Sequence, residues 1–214
     1  MRYLSIFLLT AAAFAQPRPA PIENEWVRVV VAKNTPGQFS RLHKHDVNRV
    51  MVHLTPGTMR LAYEGKPVND VKFEAGTVRW DPSGGMHTSE NVGGTTYQIV
   101  EVELRKPGAP VQWPAKDPLK IAPKTYKVEF ENDQVRVVRV RIPAKGAIPQ
   151  HEHATRRVSV ALQDAKIQLT KADGSKVEAA FSAGEPRWGV PDVHAEQSLV
   201  DHPIEMIMID IKSN

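Results

Sequence analysis

The chain has 214 residues, no cysteine and a formal net charge of +4, from 28 basic and 24 acidic side chains. Without cysteine there is no disulfide framework, so core packing, with or without metal, has to hold the fold. A charge excess this slight and this evenly spread excludes a strongly basic nucleic-acid surface.

Met1-Arg2 gives a short positive start, and residues 3–13 form an uncharged, largely apolar run. Ala13-Phe14-Ala15 closes it with small residues at the two positions a signal peptidase reads. Residues 1–15 therefore read as a secretory signal peptide, too short to span a bilayer. Gln16-Pro17-Arg18-Pro19 follows at once and would break a strand or helix running on from it. The expectation is an exported protein, periplasmic or extracellular. Taking 15 residues from 214 leaves a mature chain of 199. No second apolar run approaches membrane-spanning length, so no membrane association is expected after cleavage.

From residue 21 to 105 the pattern is strand and turn. Residues 27–31, 50–54 and 97–104 are β-rich runs, and Pro56-Gly57, Glu64-Gly65 and Ser83-Gly84-Gly85 mark turns. His43-x-His45 falls in a stretch expected to be extended, where a period of two sends both rings to one face. Arg49 comes four residues later, and His87 lies beyond a turn rich in proline and glycine. Residues 106–123 carry Pro107, Pro110, Pro114, Pro118 and Pro123 and read as a linker, because proline cannot sustain a hydrogen-bonded ladder.

Residues 124–212 repeat the first half. Glu23-Asn24 recurs as Glu131-Asn132, and Val27-Arg28-Val29-Val30 as Val135-Arg136-Val137-Val138, both at an offset of 108. His43, His45 and Arg49 recur as His151, His153 and Arg157, and Arg79-Trp80 as Arg187-Trp188. Beyond a Pro/Gly loop the offset becomes 107, pairing His87 with His194 and Glu103 with Asp210. A register this constant marks an internal duplication. No sustained helical periodicity is present, and short, evenly spaced strands imply a closed or nearly closed antiparallel barrel or sandwich in each half.

Gly37-x5-His43-x-His45, followed by Gly76-x5-Pro82-x-Gly84-x2-His87-x3-Asn91, resembles the two consensus motifs of the cupin superfamily. In the second half, Gly146-x4-His151-x-His153 keeps the first motif, while Gly184 and Pro191-Asp192-Val193-His194 keep the second in degraded form. The likeness covers both halves and resembles a bicupin. It implies an all-β fold of two tandem double-stranded β-helix (jelly-roll, cupin) barrels, residues 21–105 and 124–212. Metal-binding cupins usually add a glutamate four residues after the second histidine, but here that position is Arg49 or Arg157.

Each half is thus a candidate three-histidine metal site, His43/His45/His87 and His151/His153/His194. Three neutral imidazoles suit zinc, copper, iron or nickel, and suit manganese less. The alternative is a relic without metal, since an arginine beside the ion repels it. The intact second motif makes the N-terminal half the better candidate. Arg49 and Arg157 are candidate substrate-binding residues, a planar guanidinium being suited to a carboxylate. Glu103 and Asp210, acidic in both copies, are candidate partners for these arginines or lie on a solvated face. His53 reads as packing or surface, His202 as surface, and Trp80 and Trp188 as core or barrel-rim packing. Two functions stay open. One is a metal-dependent enzyme, dioxygenase-like by resemblance, acting on a small anionic organic molecule. The other is a non-catalytic secreted protein that binds a small ligand, or is structural, without metal. Self-association is open on either.

Overall fold

The computed structural model describes residues 20–213. The signal peptide expected at residues 1–15 lies outside them. In the first half the strands are β1 (Ile22–Glu23), β2 (Val27–Asn34), β3 (Arg49–His53), β4 (Gly57–Tyr63), β5 (Asn69–Phe73), β6 (Val78–Asp81), β7 (His87–Asn91) and β8 (Tyr97–Leu104). A short helix α1 (Pro118–Ile121) precedes β9 (Tyr126–Glu131), β10 (Val135–Ile142), β11 (Ala147–His153), β12 (Arg156–Ala161) and β13 (Ala165–Lys171). The chain closes with β14 (Lys176–Phe181), β15 (Pro186–Gly189), β16 (Asp192–Ser198) and β17 (Ile204–Ile211).

Each half folds two antiparallel sheets against each other. The first half has a five-stranded sheet, β1-β2-β8-β3-β6, and a three-stranded one, β5-β4-β7. The second half has β15-β12-β17-β10-β9 facing β11-β16-β13-β14. Among the described residues no strand crosses from one repeat into the barrel of the other. The first half's counterpart of β11 is not a continuous strand. Residues 39–43 run along β7 through isolated bridges, Phe39 to Glu90 and His43 to His87. The register slips by one residue between those bridges, and β11 slips alike between Ile148 and His151. Such a bulge re-aims a side chain, and the duplication has kept it next to the histidines.

Strand alternation gives the large sheets two unlike faces. Val27, Val29, Val50, Val52, Val100 and Val102 point one way, and Val135, Val137, Val158, Val160, Ile207 and Ile209 do the same in the second half. These twelve form one core, 0% exposed, between the five-stranded sheets of the two halves. Trp80 and Trp188 pack against it, and Trp26 stacks on Trp188 at 6.0 Å.

The opposite face looks into each barrel and is graded along its length. On β8 it runs from Tyr97 and Ile99 to Glu101 and Glu103, and on β3 from His53 and Met51 to Arg49. Tyr97, Ile99, Met51 and Phe73 make an apolar floor at one end. In the second half Ile204, Met206, Met208, Val138 and Val140 make the floor, and Arg136, Arg157 and Asp210 stand at the polar end. This gradient puts charge where the histidines converge. Among the described residues no helix is long and apolar enough to cross a membrane.

The stretch between the repeats is more than a tether. Asp117 caps α1 through Leu119 N–H at 3.0 Å and, almost fully buried, accepts from Arg136 Nη2 at 2.9 Å. The Arg136 guanidinium lies 3.3 Å from the centre of the Trp113 ring. Lys116 C=O accepts from Glu152 N–H at 2.9 Å, so the segment is strapped along β11 between the two histidines.

Candidate metal centres

The residues singled out in the sequence come together. His43, His45 and His87 form one group and His151, His153 and His194 another, with ligand atoms within 4.8 Å of one another in each. His43 Nε2 is 3.1 Å from His45 Nε2, and His151 Nε2 is 3.1 Å from His153 Nε2. Two nitrogens on one ion at about 2.0–2.1 Å lie roughly 3.0–3.4 Å apart, so these spans fit a shared cation.

The outer nitrogens fix the ring orientation. His43 Nδ1 meets Arg41 C=O at 2.8 Å, His87 Nδ1 meets Gly85 C=O at 3.1 Å, and His151 Nδ1 meets Pro149 C=O at 2.9 Å. A carbonyl only accepts, so each of these rings carries its proton on Nδ1 and turns an Nε2 lone pair inward. His194 Nδ1 has a carboxylate instead, Asp192 Oδ2 at 2.9 Å. Burial, then the Arg49 charge, holds His45 down at about 4, and burial lowers His87, His151 and His153 as well. Neutral imidazoles are the form a metal needs. On donor chemistry, orientation and spacing, the residues fit a divalent ion.

The two centres are not alike. His43 and His45 are half-buried, whereas His151, His153 and His194 are all buried. In the C-terminal centre His194 Nε2 also meets Glu196 Oε1 at 3.0 Å. Burial disfavours the His194 cation, but the hydrogen bonds to Asp192 and Glu196 outweigh it and push the ring up to about 9. Tyr126, buried at the start of β9, brings its hydroxyl to 3.4 Å from His151 Nε2. A cleft of about 340 Å³, lined by Leu169, Lys171, Asp173, Asp192 and His194, opens beside this centre.

Arg49 and Arg157 both turn into the barrels and are buried, and both are already engaged by neighbouring acceptors. Arg49 Nε donates to Asp81 at 3.1 Å and Nη1 to Glu101 at 2.8 Å. Arg157 donates to Val190 C=O at 2.7 Å and to Asp192 Oδ1 at 2.8 Å. The residue opposite Arg49 is Asp81, but opposite Arg157 it is Gly189, so Arg157 reaches onward to Asp192. Glu103 and Asp210 pair with a different duplicated arginine. Arg28 Nη1 reaches Glu103 at 3.2 Å, and Arg136 Nε reaches Asp210 at 2.9 Å, each pair directly across a strand ladder.

Asp81, Glu101, Asp117, Asp192 and Glu196 escaped the sequence reading, which looked for acids kept in register between the copies. Asp117 lies between the repeats, and each of the others occurs in one half only. His-x-Glu at residues 194–196 carried a usable signal, since two residues on a strand share a face. His53 is fully buried, Nδ1 on Thr77 C=O at 3.1 Å and its ring 4.0 Å from Phe73, so it packs the floor. His202 is exposed in a turn.

No family model matches the chain, and no curated protein does. Solved structures do. AerE from Microcystis aeruginosa matches with a TM-score of 0.65 at 15% identity, over 91% of this chain and 97% of that one. An oxalate decarboxylase of Bacillus subtilis, in a variant with one tryptophan replaced by tyrosine, matches with a TM-score of 0.61 at 13% identity, over 88% of this chain and 69% of that one. Vicilin from hazelnut, Corylus avellana, matches with a TM-score of 0.56 at 13% identity, over 87% and 75%. At such identities the likeness speaks for architecture, and with the two sheet pairs and their repeated histidines it shows that this chain has the bicupin fold.

Proposed function

We propose that the protein is an exported bicupin that holds divalent metal at one or both histidine clusters and presents it to a small anionic organic molecule. The observation that carries this is the inward convergence of Nε2 atoms on rings whose Nδ1 atoms are tied outward. The N-terminal centre is the one suited to exchange ligands, because His43 and His45 are half-buried and, among the described residues, no carboxylate is bonded to their Nε2 atoms. A bound ion would supply Lewis-acid or redox chemistry there. The chain's own residues would orient the ligand. An anion reaching Arg49 competes with Asp81 and Glu101 for the guanidinium, so Arg49 would select for compact carboxylates. Bacillus subtilis oxalate decarboxylase, described with Mn(II) centres, has a similar fold and supports metal chemistry on a small carboxylate.

One observation favours a different state for the C-terminal cluster. The chain Arg157–Asp192–His194–Glu196 is already balanced if His194 is protonated, so that cluster can stand as an ion network without metal. Metal analysis of the mature protein, purified without exposure to nickel, tests the main proposal. At least one zinc, copper, nickel or iron per chain is expected, and His43→Ala with His45→Ala should remove the N-terminal ion. Protein that arrives free of metal and takes up none on titration would end the proposal.

A further inference from the structure

We propose that Glu196 is the fourth ligand of the C-terminal centre, so that the two barrels hold chemically different metal sites. This rests on the reading that the histidine clusters bind metal.

Glu196 follows His194 by two residues on β16, and the pleat sends both side chains to the same face. That face is the barrel interior, where His194 is buried and the Glu196 side chain is only 14% exposed. Its Oε1 lies 3.0 Å from His194 Nε2. The other ring nitrogen is occupied by Asp192, which leaves Nε2 as the atom available to an ion. An ion replacing the hydrogen-bond proton between Nε2 and Oε1 would therefore meet a nitrogen and an oxygen together. Arg157, standing where a glutamate ligand is usual, has its charge answered by Asp192. It leaves Glu196, which borders the group of His151, His153 and His194 through its contact with His194, to serve the cluster.

Among the described residues, the N-terminal barrel has no counterpart of Glu196. Two residues beyond His87 on β7 stands Ser89, whose hydroxyl is within 3.1 Å of Ser40 Oγ. That centre therefore has three imidazoles and no carboxylate in the corresponding place. A hard ion such as Mn(II) wants carboxylate oxygen, while zinc and copper accept imidazole alone. The C-terminal site should therefore hold Mn(II), and the N-terminal site should discriminate against it.

Mn(II) binding to the full mature chain, followed by electron paramagnetic resonance, reads this directly, with zinc stoichiometry measured in parallel. The parent should bind one Mn(II) per chain and two zinc ions. Glu196→Gln should weaken Mn(II) by about tenfold or more while still binding two zinc ions, which also shows that the barrel is folded. Ser89→Glu, which leaves the C-terminal half untouched, should add a second Mn(II) site. Unchanged Mn(II) affinity in Glu196→Gln overturns the assignment and leaves metal binding itself standing. If Glu196→Gln loses zinc as well, Ser89→Glu decides: a gained Mn(II) supports the proposal, and none refutes it. A parent that binds neither ion removes the metal reading on which the proposal rests.

Discussion

At the scale of single residues, the histidines divide by environment rather than by position in the repeat. Burial holds His45 and His53 at about 4, while Asp192 and Glu196 overcome burial and take His194 to about 9. The ordinary value for all three is 6.5. Where the folded value is depressed, the unfolded chain binds more protons between 4 and 6.5, so stability is lost as the pH falls through that window. Where the folded value is raised, stability is full below 6.5 and is lost as the pH rises towards 9. Metal-free protein should therefore melt highest near pH 6.5 and lower on both sides. Asp192→Asn should flatten the alkaline side and leave the acid side in place. Thermal melts followed by circular dichroism between pH 4 and 9 check this, and an alkaline limb as steep in the variant as in the parent would contradict it. The histidines were legible in the sequence because period two and duplication both pointed at them. The acidic partners of Arg49 were not, because Asp81 and Glu101 arrive from other strands and neither has a duplicate. Arg28 and Arg136 were visible as repeat markers, yet their pairing with Glu103 and Asp210 needed the knowledge that β2 lies beside β8 and β10 beside β17.

At the scale of elements, the run at 97–104 is β8 to the residue, the run at 27–31 lies inside β2, and the run at 50–54 falls within one residue of β3. Alternation and turn residues carry that much. What they do not carry is which sheet faces which. The turn glycines Gly76 and Gly184 illustrate this: both have positive φ, 78° and 77°. Each also faces a leucine of the opposite half. A Cβ on Gly184 would stand 2.6 Å from Leu54 Cδ1, and one on Gly76 would stand 3.2 Å from Leu162 Cδ1. Gly76 and Gly184 hold the same place in the repeated motif, and Leu54 and Leu162 stand at the same offset of 108, but nothing in the sequence says that the pairs cross. Gly184→Ala should cost about 1–3 kcal/mol through backbone strain, plus the displacement of Leu54. Gly174→Ala, also at positive φ but with open space around it, should cost the strain alone. Urea denaturation of the two variants separates the terms, and equal losses would mean that the leucine contact is inert.

At the scale of the whole molecule, the best-buried apolar surface belongs to neither barrel but lies between them. Twelve fully buried valines and isoleucines close the two five-stranded sheets on each other. Residues 21–105 expressed alone would expose a valine face that a soluble monomer rarely tolerates. That fragment should pair with itself or aggregate, and adding residues 106–213 as a separate chain should restore a soluble complex. Size-exclusion chromatography with light scattering tells these states apart, and a soluble monomeric fragment would refute the expectation. The same surface bears on how the protein came to be. A single-barrel ancestor with this face would have been forced to pair with an identical copy, and its two sites would have had to change together. Joining the copies through residues 106–123 replaced a concentration-dependent association by an intramolecular one. It also released the copies from identity. One barrel could then take Asp81 and Glu101 around its arginine, and the other Asp192 and Glu196 around its third histidine, with the old partnership still holding both in place.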